Sequence, residues 1–316
     1  MGVIKPVVVP LVFILLTRKP TAKMTIEEIT LLFQTSEILD YVGYFFIINI
    51  ALIFFEICLD FFTSKERRWK DTGANIIIFF LGQLLEKTAF GAIGIICLLP
   101  FYHLSPFEIT MNGWTWVISL LVADFTYYWM HRLEHEHRIL WANHSVHHSS
   151  EDYNLTVSMR LSIIESAIEW VFLIPMILMG FNPFQAIVSL IFVAQYQTWI
   201  HTERIIKLGW LDEIFNTPSV HRVHHGSNQK YLDKNYGGVL ILWDKLFGTF
   251  QREEEKVIYG LTKNINSNNP ITINFIEYKN IWRDVKQCRT WSDRFKIIFG
   301  SLIWRPSYFK NHKNNT

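Results

Sequence analysis

Eight of the 12 histidines lie in three short strings whose spacing suits metal binding. Residues three and four positions apart share one face of a helix, so each string directs two or three imidazoles the same way. The first, second and third histidine strings are HRLEH (His131, His135), HSVHH (His144, His147, His148) and HRVHH (His221, His224, His225). Imidazole is the commonest protein ligand for metals such as zinc, copper, iron and nickel. Eight rings exceed what one ion needs, because a structural zinc takes four ligands and a catalytic zinc three, so we predict two metal ions.

Four histidines lie outside the strings, and one of them is a further candidate ligand. His201, in WIHTE, directly follows an apolar run and precedes the third string, so we predict it as a ninth ligand. His137 falls off the helix face that His131 and His135 share and is predicted to be exposed. His103 and His312 belong to no pattern.

Surface histidines and a metal transporter both account less well for the strings. Scattered surface histidines would not repeat similar short spacings three times at or beyond the ends of apolar runs. The ligands of a metal transporter would lie within membrane spans, where functional polar residues of such proteins are found. The strings lie instead at the ends of apolar runs or beyond them.

The composition is typical of a membrane protein. Half of the residues are hydrophobic, 16% are aromatic, 18% are charged and the mean hydropathy is +0.17. Residues 201–316 carry 18 basic against 11 acidic side chains, a net charge of +7, whereas residues 1–200 carry 12 against 17, a net charge of −5. A basic segment beside a membrane is typical of the cytosolic side, and nothing suggests a nucleic-acid surface. The three cysteines are scattered without CxxC spacing, which predicts buried or unreactive thiols.

Several apolar runs are long enough to cross a bilayer, which takes about 20 residues of helix. They are residues 41–62, 74–101, 114–130, 162–180 and 184–200. Glu86 and Lys87 interrupt the second run, which is either one kinked span or a re-entrant pair. Phe181, Asn182 and Pro183 predict a turn between the last two runs. Residues 7–16 are too short to span and lack a convincing cleavage site after them, so we predict an interfacial or partly inserted helix.

Charge provides an independent test of this topology. If the basic turn at 63–73 is cytosolic, a single span at 74–101 and the later runs bring all three strings to the cytosolic face. We therefore predict an all-α, multi-pass membrane protein with four or five spans and a cytosolic, histidine-rich di-metal cap. The membrane would be the endoplasmic reticulum in a eukaryote or the cytoplasmic membrane in a bacterium. The predicted divisions are an interfacial segment (1–40), N-terminal spans (41–113), a catalytic domain with a membrane hairpin (114–262) and a basic C-terminal segment (263–316).

The ligand type suggests the reaction class. Soluble di-iron bundles and two-metal hydrolases usually use carboxylate ligands, whereas this set is nearly all imidazole. Neutral ligands leave the charge of the metals uncompensated, which suits anionic oxygen species derived from O2. Substrates that reach such a site from apolar spans would be lipids. Asp124 lies seven residues before His131 on the same helix face, and a carboxylate within a span is expected to have a hydrogen-bonding partner.

The three strings together resemble the fatty acid hydroxylase/sterol desaturase superfamily. More narrowly, four segments are similar to its alkylglycerol monooxygenase subgroup. They are DFTYYWMHRLEHE, HHSSEDYNL, WIHTE and NTPSVHRVHHGSNQKYLDKNYGGVLILWDKLFGTF. The resemblance runs from about residue 114 to residue 262. The histidine pattern is highly specific for the superfamily, and the flanking words are moderately specific for the subgroup.

The resemblance implies a di-iron monooxygenase that uses O2 and an external reductant, which in the subgroup is tetrahydrobiopterin. It implies that the O-alkyl carbon of a glyceryl ether is hydroxylated and that the hemiacetal breaks down to a fatty aldehyde and a glycerol derivative. The eight histidines of the strings would be iron ligands. Glu136 matches an acidic position of the subgroup and is the candidate catalytic carboxylate, either orienting a ligand or remaining a solvated charge.

Three alternative functions stay open on the sequence alone. A sterol or fatty-acid hydroxylase or desaturase of the same superfamily would share the metal site and differ in product. A membrane protein that binds metal without turnover would leave the lipids of the cell unchanged when a ligand is lost. A metal-dependent hydrolase would act without O2.

Overall fold

The described part of the chain is helical. A computed structural model describes residues 23–64, 66–86 and 93–312, so the segment predicted at 7–16 lies outside the described residues. Its helices are α1 (Ile26–Thr35), α2 (Ile38–Phe62), α3 (Trp69–Leu85), α4 (Ile93–Leu104), α5 (Gly113–Glu136), α6 (Arg138–His148), α7 (Ser166–Glu169), α8 (Ile174–Leu178), α9 (Pro183–Tyr196), α10 (Pro218–His224), α11 (Leu242–Phe247), α12 (Pro270–Gln287) and α13 (Trp291–Phe299). Short 3-10 segments lie at Leu155–Met159, Trp170–Leu173, Gln197–Ile200, Gly209–Glu213 and Ser307–His312. Only isolated β-bridges, with no strand, occur in these ranges, which confirms the all-α prediction.

Helix α2 is the only described helix that is long and apolar enough to cross a membrane, judged by length and composition. The described residues of the predicted run at 74–101 lie in α3 and α4, and residues 87–92 between these helices are outside the described residues, so the choice between one kinked span and a re-entrant pair stays open. The predicted run at 162–180 is divided into α7, a 3-10 turn and α8. The predicted turn before α9 is confirmed, since Asn182 caps that helix and Pro183 occupies its first position. The multi-pass topology stays a prediction.

The polarity of α2 is inverted relative to a helix on the surface of a water-soluble protein. Its exposed side chains include Ile47, Phe54 and Phe55, each more than 60% exposed. Its buried residues include Asn49, Glu56 and Asp60, which face the rest of the protein. An apolar outer face and a polar inner face suit a helix whose outer surroundings are hydrocarbon.

The main apolar core joins α1, α4, α5, α8 and α9. Its fully buried members include Ile29, Leu98, Ala123, Met176 and Phe184. Helices α5 and α9 share the most extensive contact of any helix pair in the described residues. Because α5 ends in the first histidine string and α9 leads to His201, this packing brings two candidate ligand positions to the same end of the bundle.

A buried arginine fixes the end of α6, where the second string lies. The Arg160 guanidinium donates to Asp71 Oδ1 at 2.9 Å and Asn75 Oδ1 at 2.7 Å, both on α3. It also donates to Val146 O and Ser149 Oγ, each at 3.0 Å, at the C-terminal end of α6. The Arg160 side chain is 1% exposed, so these bonds replace its hydration. Hydrogen bonds from a charged donor are stronger than those from a neutral donor. Arg160 therefore holds the end of α6, and with it the second string, against α3.

We expect Arg160→Met to destabilise the protein strongly, because it leaves the Asp71 carboxylate buried without its counter-ion. Breaking a buried ion pair by removing one partner costs about 3–5 kcal/mol. The measurement is thermal denaturation of the purified chain. The matched control is Arg252→Met, since Arg252 pairs with Glu213 at the surface and its side chain is 65% exposed. Equal melting temperatures for the two variants would contradict this account.

Candidate metal centre

The backbone at His137 brings the first two histidine strings face to face. His137 has extended dihedral angles, φ −111° and ψ 131°, and so ends α5 and begins α6. The chain turns at this residue, and the rings on the last turn of α5 meet the rings on α6. His137 itself turns away and its Nδ1 lies 2.9 Å from Phe299 O. The third string lies on α10, where Pro218 occupies the first turn, a position that suits proline.

The nine predicted ligands form two adjoining groups of buried rings. In each group the candidate ligand nitrogens all lie within 4.8 Å of one another. The five-histidine group contains His131, His135, His144, His148 and His224. The four-histidine group contains His147, His201, His221 and His225. His201, the predicted ninth candidate, therefore lies in the smaller group, whereas His103 lies in neither.

Each HH pair is divided between the two groups. His147 and His148 are neighbours in sequence, and so are His224 and His225, yet one ring of each pair lies in each group. The rings of His148 and His225 stack across the boundary with centroids 4.5 Å apart. Each of these two strings therefore contributes to both groups, and the first string contributes only to the five-histidine group.

The Nε2 atoms point inward at spacings that suit a shared ion. In the five-histidine group, His131 and His224 lie 3.0 Å from His144 and His148, respectively, measured between Nε2 atoms. In the four-histidine group, His201 Nε2 lies 3.0 Å from that of His221. Two nitrogens about 3.0 Å apart, each about 2.1 Å from one point, would subtend roughly 90° there. The donor atoms therefore fit a metal ion in each group.

Backbone carbonyls hold the opposite nitrogen of several rings. The Nδ1 atoms of His131, His201 and His224 lie 2.9, 2.7 and 2.9 Å from the carbonyl oxygens of Tyr236, Gln197 and Lys234. A carbonyl only accepts, so each Nδ1 must carry the proton and donate it. The Nε2 lone pair is then free for a metal, which is the usual arrangement of ligand histidines.

Burial keeps these rings in the neutral form that binds metal. Removal from water lowers the pKa of His131 to about 3 and that of His201 to about 4. The same cause, reinforced by neighbouring rings, lowers the pKa of His144 and His221 well below the usual value. A buried cation is disfavoured, so the rings present lone pairs at neutral pH.

The loop after α10 supplies two of these carbonyls, and two buried aspartates hold it. Asp124, the carboxylate for which we predicted a partner, accepts from Val239 N at 2.7 Å and from Trp243 Nε1 at 2.8 Å. Asp244 accepts from the backbone N–H groups of Tyr236 and Gly237, each at 2.7 Å. A Cβ at Gly237 would lie 2.5 Å from Leu240 O, so a larger residue would push the loop open. The sequence NYGGVLILWD therefore serves to hold this loop: Gly237 allows the close approach, and Trp243 and Asp244 form hydrogen bonds.

The candidate catalytic carboxylate Glu136 lies at the surface. Its carboxylate accepts from Arg132 Nε at 2.8 Å, and the side chain is 46% exposed. Glu134, which the sequence interpretation passed over, lies closer to the rings: its Oε2 is 3.2 Å from His144 Nδ1, and the side chain is 3% exposed. The signal was present, because Glu134 is the acidic residue within the first string, whereas Glu136 follows the string. The catalytic role of Glu136 stays a prediction.

A cavity of about 400 Å³ reaches both groups from the side of α2 and α3. Apolar side chains from these helices line it, among them Phe46, Ile53 and Phe79. Its lining also includes His144 of the five-histidine group and His147 and His201 of the four-histidine group. A largely apolar cavity with some polar groups is a typical small-molecule site.

Comparison with known proteins agrees with the site. The family model for fatty acid hydroxylase matches residues 116–249. The chain is 49% identical over 195 residues to human alkylglycerol monooxygenase and 44% identical over 195 residues to the zebrafish protein of that name. Each alignment covers 62% of this chain and 44% of the relative, so the chain spans less than half the length of these curated relatives.

More distant similarity extends to other lipid-modifying enzymes. The chain is 35% identical to ornithine lipid hydroxylase OlsE of Rhizobium tropici over 136 residues, which are 42% of this chain and 41% of the relative. No solved structure matches the chain. The resemblance drawn from the histidine strings is confirmed: residues 116–249 match the fatty acid hydroxylase model, and the chain is similar to alkylglycerol monooxygenases over 62% of its length.

Proposed function

We propose that this chain is a membrane-bound di-iron monooxygenase that hydroxylates the O-alkyl carbon of alkylglycerols. The single observation that carries the proposal is the pair of all-imidazole groups, members of which line a largely apolar cavity. The similarity to alkylglycerol monooxygenases supports the substrate class. The hydroxylated ether is a hemiacetal, which breaks down to a fatty aldehyde and a glycerol derivative.

The proposed metal content is one iron ion in each group. The nine histidines of the two groups would be the ligands, and when bound, iron would supply the activation of O2. Imidazole suits iron and leaves the charge of the ion uncompensated, in contrast to a carboxylate set. The balance of the reaction requires one oxygen atom in the C–H bond and the other reduced to water, with two electrons from an external reductant. We propose tetrahydrobiopterin as that reductant by analogy with the subgroup.

The remaining parts of the chain would position the lipid and exclude water. The apolar side chains of α2 and α3 would hold the alkyl chain, and the cavity would hold the ether carbon beside His144, His147 and His201. The inverted polarity of α2 supports placement in a bilayer. We propose a multi-pass topology with the metal groups at the cytosolic face, because the basic turn at 63–73 and the basic C-terminal segment favour that side. We retain Glu136, which directly follows His135, as the candidate catalytic carboxylate, with the role of orienting a ligand histidine.

The metal content should fall when a ligand is lost from either group. We expect His225→Ala to lower the iron content from two ions per chain towards one, because only three imidazoles would remain in the smaller group. We expect His148→Ala to lower it less, since four imidazoles would remain. The measurement is elemental analysis of the purified chain, together with its melting temperature.

The matched control is His103→Ala, which removes an exposed histidine outside both groups. It should keep the iron content of the original chain. Unchanged iron in both ligand variants would show that the two groups do not bind the metal.

The activity should require O2, iron and a reductant together. We expect the iron-loaded chain to release fatty aldehyde from 1-O-hexadecylglycerol in air with tetrahydrobiopterin, with one O2 consumed per aldehyde. The measurement is mass spectrometry of the derivatised aldehyde beside an oxygen electrode. Omission of the pterin tests the reductant separately, with a second electron donor as the comparison.

Aldehyde formation without O2, or by the iron-free chain, would contradict the proposal. A sterol or fatty acid in place of the alkylglycerol tests the alternatives within the superfamily. An oxidised or desaturated product from those lipids, with no aldehyde from the ether, would replace the proposed substrate.

A further inference from the structure

The two C-terminal helices, α12 and α13, each bury one side and expose large apolar side chains on the other. Within each helix the exposed apolar residues lie four or seven positions apart, which is the spacing of one helix face. Together with the residue at 303, just after α13, they are between 41% and 88% exposed and are here called the aromatic face. Its members are Ile271, Phe275, Trp282, Trp291, Phe295, Phe299 and Ile303. Large apolar side chains grouped at a surface are unusual in water and mark an interaction site.

The buried sides of α12 and α13 pack on α6, the helix of the second histidine string. Ile281 of α12 and Ile297 of α13 lie in one buried cluster with Ala142 of α6. Just after α13, the carbonyl oxygen of Gly300 accepts from the backbone N–H of Arg138, the first residue of α6, at 3.1 Å. Both helices are therefore fixed to the part of the chain that carries the candidate ligands, and the aromatic face is their outer side.

The surroundings of the aromatic face are positively charged. Residues 270–305 carry seven basic and three acidic side chains, a net charge of +4. Each of the three acidic side chains has a partner within the protein. The pairs are Asp284 with Arg138, Asp293 with Tyr308 and Glu277 with Asn280. Since the acidic side chains are already paired, the exposed basic ones leave a net positive charge for a partner to meet.

Two cations of this region lie over tryptophan rings. Lys286 Nζ is 5.2 Å from the ring centroid of Trp282, and Arg294 Cζ is 4.5 Å from that of Trp291. Tryptophan beside basic side chains is typical of the boundary between lipid and water, where the ring lies at the level of the head groups and the cation meets anionic lipid. A second copy of the chain fits less well, because a symmetric dimer would bring the same positive charge against this face.

The aromatic face begins beside a helix that we propose to lie in the bilayer. Ile273 of α12 belongs to a buried cluster with Ile78 of α3. On its other side α3 exposes Ile77 and Phe80, at 51% and 64%. Because α3 begins in the basic turn proposed to be cytosolic, its contact with α12 brings the start of α12 close to the level where α3 would enter the bilayer. A membrane surface is therefore the partner within reach.

We propose that the aromatic face lies on the cytosolic surface of the bilayer and binds anionic phospholipids. Its apolar side chains enter the head-group level, and the exposed side chains of Lys279, Lys286 and Lys296 pair with anionic head groups. Because α12 and α13 are fixed to α6, this contact also sets the height of the second histidine string above the bilayer. The inference uses the proposed membrane placement and is independent of the proposed reaction.

The test is fluorescence of the full iron-loaded chain in nanodiscs of phosphatidylcholine and phosphatidylglycerol. An NBD label is attached to Ser292→Cys, at an exposed position of α13, in a chain whose half-buried Cys58 and Cys97 are replaced by alanine. A nitroxide carried by either the neutral or the anionic lipid quenches the label where that lipid contacts it. We expect quenching by both lipids, with at least about a fivefold preference for the anionic one, since one basic residue near an anionic surface contributes about that factor.

A triple variant tests the lysines of the face. In Lys279→Gln, Lys286→Gln and Lys296→Gln together, the preference should fall to about twofold or less, whereas quenching should persist because the apolar side chains remain. A matched control removes three basic side chains at exposed positions elsewhere and should keep the full preference. Its substitutions are Lys230→Gln, Arg252→Gln and Lys256→Gln. The melting temperature and iron content of every variant are measured alongside.

Two further label positions report on the bilayer and on water. A label at Ile47→Cys, on the exposed side of α2, should be quenched by both lipids, and one at Gln229→Cys, beside the surface ion pair of Lys230 with Glu254, by neither. The proposal is overturned if the label at 292 escapes both lipids while the label at 47 is quenched, or if both lipids quench the label at 292 equally. It is also overturned if the matched control loses the preference as fully as the triple variant.

The labels separate this inference from the proposals on which it draws. Absence of quenching at both 292 and 47 would overturn the proposed membrane placement together with the lipid contact. Aldehyde release is measured in none of these arms, so a failure of the proposed reaction leaves the result for the aromatic face unchanged.

Discussion

The site depends on which nitrogen of each buried imidazole keeps the proton. A neutral ring has one donor and one acceptor nitrogen, so Nε2 can face a metal only where the Nδ1 proton is accepted elsewhere. The carbonyls of Gln197, Lys234 and Tyr236 perform this task, and two of them lie on the loop after α10. The hydrogen bonds of Asp124 and Asp244 to that loop therefore support the candidate metal centre, although neither residue contacts a candidate ligand nitrogen.

A second constraint is the polarity of the helices around the site. Glu56 and Asp60 lie on the inner face of α2, where Arg67 donates to both at 3.0 and 2.7 Å. Glu56 also accepts from Thr202 Oγ1, directly after His201, at 2.5 Å. The charges that a hydrocarbon environment would exclude are thus paired inside the protein, and the same pairs connect α2 to the residue that follows a candidate ligand.

The histidine strings and the helical class were predictable because both depend on local spacing. The division of each HH pair between two groups was not, since it depends on how α5, α6 and α10 approach one another in space. For the same reason the sequence pointed to Glu136, which follows His135 in the chain. The contact of Glu134 with His144 is apparent only in the structure. The division of the apolar run at 74–101 was left open for a related reason, because an apolar run alone does not specify where a helix ends.

The two groups are unequal, and the cavity accentuates the difference. The four-histidine group presents two of its members, His147 and His201, at the cavity, whereas the five-histidine group presents His144. Fewer protein ligands leave more positions of a bound ion for other molecules, as catalytic metal sites require. Unequal ligand numbers would therefore make the four-histidine group the more open of the two to a substrate in the cavity.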